Sequence, residues 1–424
     1  MKMHTPMNYR SRISKLQKLL LEESKQPRGY RLGAPAALIS SNPQAVLSHD
    51  QTHPYRSNST TRYLLGSERE PLILIVRPEG KPILITTPND PVRKLWDGPQ
   101  EASEAVAERI GAEHVITKDL VSEALTRLKG AETVYSENIK RSPASHVVEK
   151  LYEKPHHSQS GYPRAFLPLE ALMQHLRLYK DRQEIAAIEH AAKITGQALD
   201  RIQPLIRPGI SEWTIAKTLE YHFGLGLGVP AFQSIVASGP NASYLHYHDH
   251  SRILKKNEWL LIDSGAEVSY YSADITRCYP VGEIIDPVLL DVYATVASAK
   301  MAAIKAIKDG VSILTVYTAA ARELVYGLKE LGVLKGRIDT LLKKKAHLPY
   351  FPHSIGHSLG LDVHDIGDLR GNTSPVLKAG MVFTIEPGLY FQKKTGKVPQ
   401  CGVRLEDDIL VTKRGSQNLT AIVP

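Results

Sequence analysis

The sequence predicts an α+β protein of two domains, a smaller α/β domain followed by a larger α+β domain made of two related halves. Three observations carry this. The 424 residues are too many for one ordinary domain. Residues 34 to about 140 alternate short β-rich runs with helical ones. After about residue 170 the texture changes, and two kinds of segment recur in the same order.

The opening stretch, "MKMHTPMNYRSRISKLQKLLLEESK", lacks the apolar core of a secretory signal and reads as an amphipathic helix. "EPLILIVRPEGKPILITTP" holds two strand-like runs joined at a Pro-Glu-Gly turn. "GPQEASEAVAERIGAEHVI" then reads helix to strand. The tract 152–168, "YEKPHHSQSGYPRAFLP", has little periodic pattern and is the expected linker. The domains are accordingly expected at 1–168 and 169–424.

In the second domain Ile185, Ile188, Ala192, Thr195, Leu199 and Ile202 step by three and four, which marks one helix face. Pro204 and Pro208 set its end. Ser211 caps a following helix. "IRPGISEWTIAKTLE", from Ile206, is echoed by "IKDGVSILTVYTAAARE", from Ile307. "EWLLIDSG" (258–265) is echoed by "MVFTIEPG" (381–388). Each of the latter pair is an apolar run ending in a carboxylate, with Gly two residues later.

Composition narrows the function classes. Apolar residues make up 42% and charged residues 23%, enough apolar material for sizeable cores. Two cysteines, Cys278 and Cys401, are too few for a disulfide framework, so a reducing, cytoplasmic setting is expected. No apolar run is expected to span a bilayer. The net charge of +9 comes with acids mixed among the bases, without a basic stripe of interleaved aromatics, so no nucleic-acid partner is expected.

The chemistry gathers on the strand-like runs. "WLLIDSGAEVSYYSADITRCYPV" predicts two strands around a turn at Val268–Ser269, with Asp263 and Asp274 directly opposite. Like charges in that position repel unless something positive lies between them. In the second half Glu386 ends one run, Glu406 begins the next, and "KKTGK" lies midway as a turn. A lone acid at a strand end is usually just solvated. Four of them on buried-looking strands, with few local lysines, must be paired, hydrogen-bonded or metal-bound, and the matching positions favour metal. Such a carboxylate-rich set with an imidazole suits manganese, cobalt or zinc. The imidazole comes from "FPHSIGHSLGLDVHD" (351–365), where His353 and His357 are four apart and share a face in a helix or strand. Arg404 and Glu406 point the same way on a strand, as do Thr276 with Asp274 and Thr384 with Glu386. These hydroxyls are placed to orient the carboxylates.

"IDSGAEVSYYSADITR", "HSIGHSLGLDVHD", "TIEPGLY" and "VRLEDDILV" resemble the metal-binding motifs of the aminopeptidase P/prolidase family, peptidases of the pita-bread fold. "HPYRSNSTTRYLLG" (53–66) resembles the amino-terminal domain of aminopeptidase P. The resemblance covers nearly the whole chain. It implies five metal ligands, Asp263, Asp274, His357, Glu386 and Glu406, holding two divalent ions, Mn2+ first, with Co2+ or Zn2+ as alternatives. Asp274 and Glu406 would bridge the two. It further implies catalytic or substrate roles for Glu386, His246, His364, His353, Arg404 and Tyr390, and a contact from Trp96 to a neighbouring subunit in a homo-oligomer, a dimer or tetramer. Ser354 departs from a glycine often found there. The implied activity is hydrolysis of the Xaa-Pro bond of peptides with proline second. Prolidase activity on Xaa-Pro dipeptides is the alternative, and a non-catalytic binding relative is a third reading.

Overall fold

The computed structural model describes residues 7–25, 34–49, 51–137, 139–154, 161–284, 286–367 and 375–421. Its described residues divide into two compact units, one up to Leu176 and one from Arg177 onward.

The amino-terminal unit is built on a six-stranded mixed sheet in the order Glu113–Ile116, Ile83–Thr86, Leu72–Val76, Pro35–Ser40, Thr133–Ser136, Ala165–Pro168. The two runs around the Pro-Glu-Gly turn form the expected antiparallel hairpin, with Ile75 facing Ile83. The amphipathic helix Tyr9–Lys25 buries Ile13, Leu16 and Leu20. Asn58 caps the helix Ser59–Leu65 by accepting from the Thr61 amide at 2.8 Å. Part of the tract read as linker is strand instead. Ala165–Pro168 pairs in parallel with Thr133–Ser136, so the expected boundary at 168/169 falls short of the observed division after Leu176. The strand is too short and too poorly alternating for periodicity to reveal. Residues 155–160 of that tract lie outside the described residues.

The second unit repeats itself in three dimensions. The helix Glu212–Leu225 is capped by Ser211, and Ile313–Glu330 by Ser312. Before each cap the backbone makes the same contacts. Gly209 N donates to Leu254 O at 3.0 Å and Leu254 N to Ile210 O at 2.8 Å. Gly310 N donates to Leu377 O at 2.8 Å and Leu377 N to Val311 O at 2.7 Å. Both glycines have positive φ, 91° and 85°, which explains their recurrence. The helix Arg182–Ile202 begins at a reciprocal cap between Asp181 and Glu184 and ends at Pro204, as expected.

Each half lays a helix pair on its own strands. Ala192, Leu199, Ile215 and Leu219 pack on Leu260, Ile262 and Ile275. Val292, Val296, Ala320 and Leu324 join Phe383, Ile385 and Ile409. The strand Trp259–Ser264 is buried on both faces, Leu260 and Ile262 in one core and Trp259 and Leu261 in the other. Hence its unbroken apolar run. The inner faces of the two sets of strands carry the carboxylates.

One expectation fails on composition. The helix Pro287–Ala306 is long and apolar enough to cross a membrane. Its Leu289, Val292, Val296, Ala299 and Ala303 are committed to the core, and its Lys300 to an ion pair with Asp407 at 2.6 Å. Ala299 and Ala303 on that buried face raise its hydropathy, while the rest of the helix is exposed or only partly buried.

Candidate active site

The first hairpin is not in the expected register. Its turn is Ser269–Tyr270, both at positive φ (52° and 72°), one residue later than predicted. Asp263 therefore faces Thr276, and Asp274 sits diagonally from it. Two non-glycine residues in the left-handed region are what a two-residue hairpin turn of this hand requires, and nothing in "VSYY" announces it. The displacement is even, so Asp263 and Asp274 keep a common face. In the second half Ile385 faces Asp407 and Gly388 faces Arg404, which brings Glu386 opposite Glu406 as expected.

The halves meet where Glu406 N donates to Thr276 O at 3.0 Å. There Asp274, His357 and Glu406 converge, with one ligand atom of each within 4.8 Å of the others. His357 Nε2 lies 3.3 Å from Asp274 Oδ2 and 3.8 Å from Glu386 Oε1. Its Nδ1 is placed to donate to the Ser358 carbonyl at 3.2 Å. That tautomer aims the Nε2 lone pair at carboxylate oxygens, an arrangement that calls for a cation between them.

Arg404, buried, braces the site from behind. It donates from Nη2 to Asp263 Oδ2 at 2.5 Å, from Nε to Thr276 Oγ1 at 3.1 Å and from Nη1 to the Tyr390 hydroxyl at 2.9 Å. Thr276 in turn donates to Glu406 Oε2 at 2.7 Å. His353 Nε2 meets the Tyr390 hydroxyl at 2.9 Å, and its Nδ1 lies 3.7 Å from Glu386 Oε2. Burial, with Arg404, His246 and His357 adding to it, lowers the His353 pKa to about 3, so this ring is neutral near pH 7. The His364 ring lies 4.0 Å from that of His357, centroid to centroid. His246 is exposed. Trp96 belongs to the amino-terminal unit and is 81% exposed.

The carboxylates carry the signature of a missing counter-charge. Burial and then Glu406 and Asp263 push the Asp274 carboxyl well up. Burial and Glu406 do the same to Glu386. Burial and Asp263 raise Glu406 to about 7. Asp263 Oδ1, Asp274 Oδ1 and Glu406 Oε1 are buried without a hydrogen-bond partner. Buried acceptors are nearly always satisfied, and an acid with an orphaned oxygen and a raised pKa fits a cation ligand. The donor set of oxygens with one nitrogen fits a divalent ion. Both cysteines are buried, with pKa values pushed up to about 12 by burial, which leaves no thiolate nucleophile.

Asp408 escaped the sequence reading. Fully buried, it accepts from the Asp274 amide at 3.2 Å through Oδ2, while its Oδ1 lacks a partner. Its signal was strand alternation, since it stands two residues after Glu406 and shares its face.

Residues 186–413 match the model of metallopeptidase family M24, and residues 9–135 match the aminopeptidase P amino-terminal domain. The chain is 32% identical over 401 residues to the Xaa-Pro aminopeptidase of Escherichia coli K12, covering 92% of this chain and 91% of that one. The chain belongs to the Xaa-Pro aminopeptidase family. Human Xaa-Pro aminopeptidase 3 is 29% identical over 430 residues, 99% of this chain and 84% of the relative. The proline aminopeptidase P II of Yersinia pestis superimposes with a TM-score of 0.89 at 31% identity, covering 98% and 96% of the two chains. E. coli aminopeptidase P with the inhibitor Pro-Leu gives 0.88 at 30% identity, with 98% and 95% covered. Family membership makes this chain a hydrolase that works with divalent metal, and the fold is the pita-bread fold that the resemblance implied, with the two related halves that the repeats predicted.

Proposed function

We propose that this chain is a two-metal exopeptidase that releases the amino-terminal residue from peptides with proline second. Asp263, Asp274, His357, Glu386 and Glu406 would hold two ions, with manganese the first choice. The observation that carries this is the convergence of Asp274, His357 and Glu406 around orphaned, buried carboxylate oxygens. When bound, such ions polarise the scissile carbonyl and lower the pKa of a water to about 7.

The side chains divide the remaining work. Glu386 takes a proton from the attacking water and passes it to the proline nitrogen as the C–N bond breaks and the new C–O bond forms. An imidazole, His364 or His246, donates to the carbonyl oxygen as charge grows there. His353 and Tyr390, bonded to each other, line the substrate side. Arg404 spends three donors inside the protein, so it acts on substrate by fixing Asp263 and Tyr390. An Xaa-Pro amide has no N–H and a fixed φ, which favours a site that grips the ring and the free amine over one that adds the peptide as a strand.

The helix Pro91–Asp97 leaves Val92, Leu95 and Trp96 all more than half exposed, which supports a second copy covering it in a homo-oligomer. Sedimentation of the wild type and of Trp96→Ser tests that. We place the enzyme in the cytoplasm on its two buried, unpaired cysteines.

The deciding experiment is a peptide-length series, Xaa-Pro against Xaa-Pro-Yaa and longer, assayed with manganese, cobalt or zinc. Faster turnover of the longer peptides is expected, best with manganese. Turnover confined to dipeptides identifies a prolidase. Bound metal with no turnover of either identifies a binding protein.

A further inference from the structure

A buried charge cluster lies behind the loop that joins His357 to His364. Arg177 is 4%, Lys180 1% and Asp365 2% exposed at the side chain. Asp365 Oδ1 accepts from Arg177 Nη2, and Asp365 Oδ2 lies 3.2 Å from Lys180 Nζ. Arg177 also donates to Asp362 Oδ2 at 2.7 Å. No atom of this cluster is among the converging metal-site oxygens. Taking three charged groups out of water is costly, and such clusters are poor stabilisers compared with apolar packing of equal volume. Their gain lies in fixing one geometry, and here the geometry fixed is a loop neck.

The neck is the Ser358–Asp365 pair. Asp365 N donates to Ser358 O at 2.8 Å, closing the loop one residue after His357 and one residue after His364. Lys180 Nζ reaches Ser358 Oγ at 3.5 Å on one side of the neck and Asp365 on the other. Asp365 Oδ1 also accepts from the Ile366 amide at 2.9 Å, which fixes the exit of the loop. The outer side of the neck is tied to the second-half sheet, with Ser358 bridging Phe383 and Leu359 N donating to Val382 O at 3.1 Å. Lys180 N donates to Gly380 O at 2.8 Å, which anchors Lys180 just before the same strand, Val382–Ile385. Gly360 packs against Asp365 Oδ2 and Lys180 Cε, with no room for a Cβ.

We propose that Asp365, clamped by Arg177 and Lys180, is a positioning residue that sets the His364 ring against His357 and so aims its N–H at the reacting carbonyl. This rests on the reading of His364 in the proposed function. The clamp makes no contact of its own with the reacting atoms. It acts through the backbone at both ends of an eight-residue loop, from Ser358 to Asp365.

The test is a double-mutant cycle on the manganese-loaded full chain, using Asp365→Asn, His364→Ala and the pair, with kcat, KM, metal content and melting temperature measured for each. Asp365→Asn is expected to lower kcat about 10-fold or more, with KM within about twofold and metal content unchanged. The pair should be no slower than His364→Ala alone. Arg177→Lys keeps the charge and should recover most of the rate, whereas Arg177→Met should match Asp365→Asn. Losses that multiply in the pair overturn the proposal, as does a fall in kcat that tracks the melting temperature across the series. Normal kcat in Asp365→Asn beside an impaired His364→Ala overturns the clamp alone and spares the role of His364. Normal kcat in His364→Ala overturns both. If Asp365→Asn does not fold, the two Arg177 variants carry the same comparison.

Discussion

The two halves of the metallopeptidase unit carry one motif, an apolar strand ending in a carboxylate with glycine two residues on, yet they pair it differently. In the first half Asp263 faces Thr276 across a two-residue turn. In the second half Glu386 falls opposite Glu406, Thr384 faces Asp408, and the connection runs from Phe391 to Cys401. The registers differ by an even step, so both halves still present their acids to the same side. Strand parity fixes which face a ligand occupies; turn geometry decides which neighbour it meets. The neighbours differ in kind. Asp263 is braced by a direct bond from Arg404 of the other half, while among the described residues the ion-pair contacts of Glu386 are with two histidines, His353 at 3.7 Å and His357 at 3.8 Å.

The largest effect should separate those two acids. Glu386→Gln is expected to cut kcat about 1,000-fold even at saturating manganese, because the proton carrier is gone. Asp263→Asn should weaken metal binding, and excess manganese should restore part of the rate. Turnover with metal titration distinguishes them. Equal rescue of both, or normal turnover in Glu386→Gln, breaks the assignment of separate roles.

Next come the repeated glycines. A Cβ on Gly265 would run into the Ala273 carbonyl oxygen, which is backbone and cannot yield. A Cβ on Gly388 would meet the Tyr390 hydroxyl, at 2.5 Å. Gly265→Ala should therefore cost about 3 kcal/mol of stability or prevent folding. Gly388→Ala should be milder in a urea melt and show instead in activity, by moving Tyr390 off Arg404 and His353. A reversed order would mean that the first hairpin is the adaptable one.

The threonines give a smaller contrast. Thr276 bonds two charged groups, Glu406 and Arg404, whereas the Thr384 hydroxyl, among the described residues, accepts from the His357 amide alone, at 3.2 Å. Thr276→Val should cost about 2 kcal/mol, or roughly 30-fold in manganese affinity, and Thr384→Val about 1 kcal/mol. Calorimetric titration measures both, and equal losses would remove the asymmetry.

Much of this was legible in the chain. The apolar runs ending at Asp263 and Glu386 marked buried acids, because a charge at the end of a buried strand has no water to turn to. The Gly-Ile/Val-Ser repeats marked the twofold, because positive φ and a helix cap both restrict residue choice. Three features were hidden. Ser269 and Tyr270 adopt left-handed backbone without the usual Asn or Gly. Ala165–Pro168 is defined by its partner strand rather than by its own pattern. The Asp365 clamp joins residues nearly 190 positions apart (Arg177 to Asp365), which no local pattern encodes.

The gentlest test is of pH, on protein stripped of metal. Burial and like charges raise Glu406 from 4.5 to about 7 and push Asp274 and Glu386 well up too. A carboxyl whose folded pKa is raised contributes stability that is full below its unfolded pKa and is lost as pH rises through the folded one. Burial lowers the pKa of His353, His250 and His347, which has the opposite slope, yet their unfolded forms lose their protons near 6.5 and contribute little above it. From pH 6.5 to 8 that opposing slope fades, and the three raised carboxylates set the trend. Melting of the stripped protein should drop by on the order of a few degrees over that window. Manganese supplies the charge that the proton otherwise supplies, so its stabilisation should grow over the same range. A stripped protein whose melting point stays level or climbs would mean that the acids are neutralised within the protein, Asp263 by Arg404 and the others by groups that make no such contact in this structure.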